Sequence, residues 1–357
     1  MIPMTKEAFL EDTLRWLAAQ IQRYPEIQPQ DVVKFAFQAT LGVGHLLSDR
    51  ESVTRRISDE INGLKADCNE PLFEQLSPVW CRLNLRRAVA EGFGAETVAG
   101  LMLSSTSDIR FTRQDVLDLS RIACASAGLP LPDEEELNKI LRDDWMPSHS
   151  AIYKKLFQPA YRVVSAEWAC CENAIGEIIR KQTERERLLV TLDGPCASGK
   201  TTLAKKLASA FHAAVAHTDD YVVPHSQKTK ERLAIPGGNC DADRLMREIV
   251  LPWKKGETAF CQKYDCATDR LLPAEALPME DMLILEGCYC NLPDIRKHAD
   301  VRLFLDAPWH TREERLLQRE SETSMRQFYT RWIPLENAYF EAYHLPDEGC
   351  TRILPQE

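Results

Sequence analysis

Residues 188–210 constrain this chain more than any other stretch. Leu188-Leu189-Val190-Thr191-Leu192-Asp193 has the composition of a buried strand. Gly194-Pro195-Cys196-Ala197-Ser198-Gly199-Lys200-Thr201 follows, and Thr202 then opens a run of Ala, Leu and Lys that predicts a helix. Strand, glycine-bounded loop and helix with the spacing Gly-x-x-x-x-Gly-Lys-Thr form the P-loop pattern in its confirming context. Gly194 and Gly199 let the backbone wrap so that successive N–H groups point inward at the positive end of the helix, which suits a phosphate chain. Lys200 can then reach the β- and γ-phosphates, and the Thr201 hydroxyl can ligate Mg²⁺. Residues 194–202 are therefore the expected nucleotide cradle, with ATP and Mg²⁺ as cofactors.

The chain has 357 residues, enough for two domains with cores of their own. Its net charge of −10 argues against nucleic acid as the principal partner, because a phosphate-backbone binder needs a basic face. No apolar run reaches membrane-spanning length, and the first residues lack the pattern of a signal peptide. The 12 cysteines are scattered without a Cys-x-x-Cys pair, which fits a reducing cytoplasm and not a disulfide framework or a zinc site. Cys196 lies at a helix N-terminus, where thiolates are favoured, so oxidation or alkylation there is expected to obstruct the cradle and bound ATP to protect it.

Before residue 150 the periodicity is helical. Leu10, Leu14, Leu17 and Ile21 share one face over residues 5–22, and a second helix carrying Val32, Val33, Phe35 and Phe37 ends at Gly42 and Gly44. Ser48 and Glu51 have capping-box spacing ahead of Val53, Ile57 and Ile61, as Thr112 and Asp115 do ahead of Val116 and Leu119. Helices are also expected over 72–89 and 133–142. Gly42-Val43-Gly44-His45 is either a site or a helix C-cap with a packed histidine, and Ser148-His149-Ser150 suits a polar exit loop. The expected organisation is an all-helical domain over 1–158 and an α/β domain over 159–357.

In the second half, residues 213–217 form a short apolar run that ends in Thr218-Asp219-Asp220-Tyr221. Met282-Leu283-Ile284-Leu285 is another buried strand, ending in Glu286-Gly287, and 301–305 a further one. Ligands bind at the carboxyl ends of parallel strands, so acids there are candidates for orienting an acceptor hydroxyl or holding Mg²⁺; a polar strand cap is the bland alternative. Thr311 and Glu314 are spaced to cap a helix bearing Arg312, Arg315 and Arg319, with 315 and 319 stacked on one face as candidate lid cations or as ordinary exposed arginines.

With these pieces in place, residues 188–353 resemble the uridine kinase and phosphoribulokinase-like branch of P-loop kinases. The resemblance rests on the P-loop, Asp219-Asp220-Tyr221, Asn239-Cys240-Asp241 after Pro236-Gly237-Gly238, Tyr264-Asp265, Leu285-Glu286-Gly287 and the arginine helix near Arg312. It implies a P-loop NTPase fold, a mostly parallel sheet flanked by helices. It also implies Asp219 as the acceptor-side base, Asp241 as a holder of sugar hydroxyls, and Arg315 and Arg319 as lid residues. Asp220, Tyr221, Tyr264 and Glu286 complete the expected acceptor side, and Thr201, Asp219 and Glu286 the expected magnesium ligands. Two positions depart from uridine kinases: Asp269 stands where the family has a base-reading histidine, and Cys240 replaces an aromatic residue. Lys228, Lys230 and Arg232 could meet an anionic acceptor or form a solvated loop.

The expected activity is transfer of the ATP γ-phosphoryl to a hydroxyl of a nucleoside-like or other small metabolite by a cytoplasmic protein. The alternative is an NTP-hydrolysing switch that acts on a protein partner through the helical domain. No nucleic-acid or membrane partner is expected, and self-association into a homo-oligomer stays open.

Overall fold

The protein is described by a computed structural model at residues 5–43, 49–105, 110–130, 133, 135, 137 and 147–355. It divides into two compact units, Ile2–Ala169 and Cys170–Glu357.

The first unit is largely helical: α1 (Lys6–Arg23), α2 (Pro29–Leu41), α3 (Arg50–Ile61), α4 (Leu85–Ala90), α5 (Ala95–Leu103), α6 (Arg113–Ser126) and α7 (Ala151–Phe157). Leu17, Val32, Phe35, Leu119 and Tyr153 share its main core. Thr112 and Asp115 form the expected capping box. Ser48, Gly44, His45 and most of the helix expected at 133–142 lie outside the described residues; the observed cap of α3 is Asp49, which accepts the Ser52 N–H at 2.9 Å. A Cβ on Gly42 would fall 2.3 Å from the Trp80 ring, so this glycine is a C-cap held against packed indole.

The helix expected at 72–89 is instead β1 (Phe73–Gln75), a turn, β2 (Trp80–Asn84) and then α4. Leu72, Leu76, Trp80 and Leu83 happen to fall at helical spacing, but Pro78 interrupts the backbone between them. β3 (Tyr161–Ser165) pairs antiparallel with β2, which draws residues 159–169 into the first unit and corrects the boundary expected at 158.

The loop at residues 148–150 is not merely polar. Asp31 is fully buried and accepts hydrogen bonds from the Ser150 N–H (2.8 Å), the Ser150 hydroxyl (2.7 Å) and the Gln28 N–H (3.0 Å), while its other neighbour is His149 Nδ1 at 2.9 Å. Burial pulls the His149 imidazole down to about 4, against the pull of Asp31 and with help from Arg82. A histidine at its ordinary 6.5 when unfolded binds a proton more readily than this one. The stability it contributes is therefore full above 6.5 and is lost as pH falls towards its folded value. Thermal unfolding is expected to show a slope approaching about 1.4 kcal/mol per pH unit in that window, absent in His149→Asn.

The second unit is built on a five-stranded sheet: β4 (Leu188–Asp193), β5 (Ala213–His217), β6 (Met282–Glu286), β7 (Val301–Leu305) and β8 (Thr351–Ile353), in the order β8-β7-β4-β6-β5. Every adjacent pair is parallel. β4 and β6 are buried along their whole length, as central strands covered by helices must be. α8 (Glu172–Gln182) turns Ala174, Ile175, Ile178 and Ile179 onto the core. α9 (Lys200–Phe211) follows the P-loop, α10 (Trp309–Arg319) follows β7, and α11 (Ile333–Ala342) precedes β8. Parallel pairing brings Asp193, His217, Glu286 and Leu305 to one end of the sheet.

Candidate active site

The loop of residues 194–199 leaves β4 and enters α9, a 12-residue helix. Gly194 has φ +142°, and a Cβ there would lie 2.3 Å from the Leu305 carbonyl oxygen, so the chain can pass β7 only as glycine. Asp193, wholly buried, ties the loop to the sheet: it accepts the Gly194 N–H (2.8 Å), the Asn291 N–H (3.1 Å) and the Tyr339 hydroxyl (2.7 Å). Burial raises its carboxyl, and these donors oppose the rise.

Lys200 is buried, and its ammonium donates to the Pro195 carbonyl at 2.9 Å. Burial disfavours its charge, yet Cys288, Glu336, Asp219 and Asp193 surround it and leave its pKa raised. Thr201 donates its hydroxyl to Glu286 Oε1 at 2.9 Å. The same oxygen meets His217 Nδ1 at 2.5 Å, because Glu286 and His217 sit opposite each other in the β6–β5 register. Burial works to raise the Glu286 carboxyl, but His217 and Thr201 more than offset it and hold it low. His217 is correspondingly raised, chiefly by its bond to Glu286.

Asp219 is exposed at the rim of this cluster, within the fields of Lys200, Glu286, His217 and Asp220. Crowding by protein raises its carboxyl, against the charges of Lys200 and His217. Asp220 differs: its carboxylate lies 3.6 Å from Lys263 Nζ. Asp241 caps the short helix Ala242–Leu245 through the Arg244 N–H. The Tyr264 hydroxyl bonds to Asp269, the residue that replaces the expected histidine. Tyr221, expected on the acceptor side, is wholly buried with the Arg244 guanidinium 4.3 Å over its ring.

The arginine helix divides as well. It begins at Trp309 behind Pro308, two residues ahead of the expected Thr311 cap. Arg315 donates to the Ala197 and Ser198 carbonyls at 3.0 and 2.9 Å, gripping the P-loop. Arg312 reaches the Ala307 carbonyl at 3.2 Å and the Cys196 carbonyl at 3.4 Å. Arg319 pairs at the surface with its neighbour Glu320 and, among the described residues, has no hydrogen bond to the loop.

Sequence reasoning did not assign Glu336 a role. From α11 it is buried against the P-loop and accepts the Cys196 N–H at 2.9 Å. Burial raises its carboxyl, against Lys200 and the Cys196 N–H. This overturns the expected thiolate at Cys196: burial and the adjacent Glu336 push that thiol up to about 12. Cys196 should alkylate slowly near neutral pH with or without Mg·ATP, well after the exposed Cys68 and Cys266, as peptide mapping would show.

The residues present fit the two groups that the loop implies. The N–H nest at the α9 N-terminus with Lys200 suits a phosphate chain. Thr201 and Glu286 offer adjacent hard oxygen donors, and Mg²⁺ typically takes one or two protein oxygens and completes its shell with phosphate and water. Among the described residues, no group of three or more His, Cys, Asp or Glu side chains forms a metal centre.

The parallel sheet, the P-loop between β4 and α9, and the acids at the strand ends define a P-loop kinase-like fold. No protein-family model and no curated protein matches the chain. Among solved structures it is similar to a possible uridine kinase from Bacillus stearothermophilus (21% identity, 50% of this chain and 98% of that one, TM-score 0.38). It is also similar to a candidate fructose transport system kinase from Silicibacter sp. (24%, 54% and 99%, TM-score 0.41). A third is a candidate P-loop kinase with a circular permutation from Saccharomyces cerevisiae (11%, 54% and 99%, TM-score 0.42). The fold assignment rests on strand order and loop geometry, not on these distant likenesses. Among the described residues no helix is long and apolar enough to cross a membrane.

Proposed function

We propose that the second unit is an ATP-dependent kinase that phosphorylates a hydroxyl of a small metabolite. The observation that carries this reading is the exposed Asp219 side chain at the end of β5, in the field of Lys200 and of the Thr201–Glu286 pair. A hydrolytic switch needs no acid aimed at an organic acceptor; a kinase does.

In the proposed reaction the acceptor oxygen forms a bond to the γ-phosphorus as the bond from that phosphorus to the β–γ bridging oxygen breaks, and ADP leaves. Asp219 orients the acceptor hydroxyl and takes its proton. Lys200 stays with the phosphoryl charge as it moves, in a site where burial strengthens each electrostatic contact. Arg315 holds the loop carbonyls so that the N–H groups face the phosphates. Mg²⁺, when bound at Thr201 and Glu286, neutralises phosphate charge. His217 holds the Glu286 carboxylate in place.

The test is ADP formation from Mg·ATP with and without pools of nucleosides, sugars, sugar acids and vitamins. Strong stimulation by one pool supports the kinase. Hydrolysis that no pool alters and a protein partner accelerates would favour the switch.

A further inference from the structure

We propose that the acceptor carries a negative charge, a carboxylate or a phosphate monoester, received by the Lys228 ammonium and the Arg331 guanidinium beside Trp332. The inference rests on the kinase reading and adds the substrate class.

Lys228 is held in place. The His225 N–H donates to the Tyr264 hydroxyl (3.2 Å) and to Asp269 (3.1 Å), and the Lys228 N–H returns to the His225 carbonyl at 3.2 Å. These bonds hold the turn, from which the ammonium reaches between two rings, 5.8 Å from the Tyr264 centroid and 5.9 Å from that of Trp332. On the same indole the Arg331 guanidinium lies 4.6 Å from the centroid. Aromatic faces attract cations but do not neutralise them.

Neither cation makes an ion pair among the described residues, whereas nearby Lys263, Arg244 and Arg247 each have a carboxylate within 4.0 Å. Burial lowers the Lys228 pKa and Arg331 adds to that effect, while Cys266 and the Asp269 carboxylate pull it upward without closing an ion pair. In a chain of net charge −10, two adjacent unpaired cations make a local site for an anion.

Their position suits an acceptor. The helix runs without a break through Trp332 into α11, so Trp332 lies four residues, one turn or about 6 Å of rise, before Glu336. Glu336 touches the P-loop at Cys196. Trp332, the ring that both cations approach, is thus about one helical turn from the residue that touches the cradle, where the far end of a small acceptor would lie. A lysine supplies a point charge and an arginine a planar fork, which together suit either oxyanion.

The test uses the full chain with its cradle filled by Mg²⁺ and a non-hydrolysable ATP analogue, titrated in a calorimeter with inorganic phosphate, glycolate and glycerol. The expected result is saturable binding of phosphate or glycolate but not of glycerol. Lys228→Gln and Arg331→Gln should each weaken it on the order of tenfold, and Lys228→Arg should restore it. Phosphate alone marks a phosphate monoester as the acceptor, glycolate alone a carboxylate. If the analogue binds and neither anion does, or if binding survives in the double variant, the inference is overturned while the kinase reading stands. If the analogue itself does not bind, the kinase reading falls and the inference with it.

Discussion

Lys200→Ala is expected to lower phosphoryl transfer by about 10²-fold or more, because a charge-assisted contact in a closed site contributes several kcal/mol to the transition state. The surroundings make the loss specific. Glu336, Asp219 and Asp193 all act on this one ammonium, and no other lysine is buried at the loop. Truncation therefore leaves three acids around the loop with less positive charge between them. Steady-state ADP formation with a responsive acceptor is the readout, beside a thermal melt to confirm folding. Near-normal turnover in a folded variant would mean that the loop does not hold the reacting phosphate.

The second large effect is expected at Asp219. Asp219→Asn keeps the volume but loses the charge and the proton-accepting capacity, so kcat should fall by roughly 10²–10⁴. Mg·ATP affinity should change little, since the cradle is built from residues 194–201. Asp220→Asn should have the smaller effect, because that carboxylate faces Lys263 at 3.6 Å while Asp219 lies in the field of Lys200. Calorimetry of Mg·ATP alongside phosphoryl transfer separates binding from chemistry. If both single variants and the double variant transfer phosphate at the wild-type rate, the acids are only a strand cap.

These two residues stood out in the sequence for different reasons. A phosphate cradle demands Gly, Gly, Lys and Thr at fixed separations, so Lys200 is legible from spacing alone. Asp219 is legible because parallel strands converge their carboxyl ends, which a run of apolar residues followed by an acid reveals. The same rule applied more strictly would have marked His217 and Asp193, each the last residue of its strand. Glu336 left no comparable signal: it lies more than a hundred residues from Cys196, and only the return of α11 over the P-loop brings them together. Cys196 departs from expectation for the same cause, since a helix N-terminus favours a thiolate only where no carboxylate is buried beside it. Tyr221 and Arg319 match the motif pattern, while tertiary packing buries the first and a neighbouring acid pairs with the second at the surface. In the first unit, β1 and β2 were obscured by apolar positions that imitate a helical period, and Tyr161–Ser165 by its place after a proline in an apparent linker.

A kinase must deliver the γ-phosphoryl group to an organic hydroxyl. The most direct test of that transfer follows the label from ATP radiolabelled in the γ-phosphate, incubated with the full chain, Mg²⁺ and the acceptor pool that stimulates ADP formation. The label should appear in a phosphorylated small molecule in step with ADP, and Asp219→Asn should all but remove this product while still binding Mg·ATP. Label recovered only as inorganic phosphate, in equal amounts with and without the pool, would contradict the kinase reading.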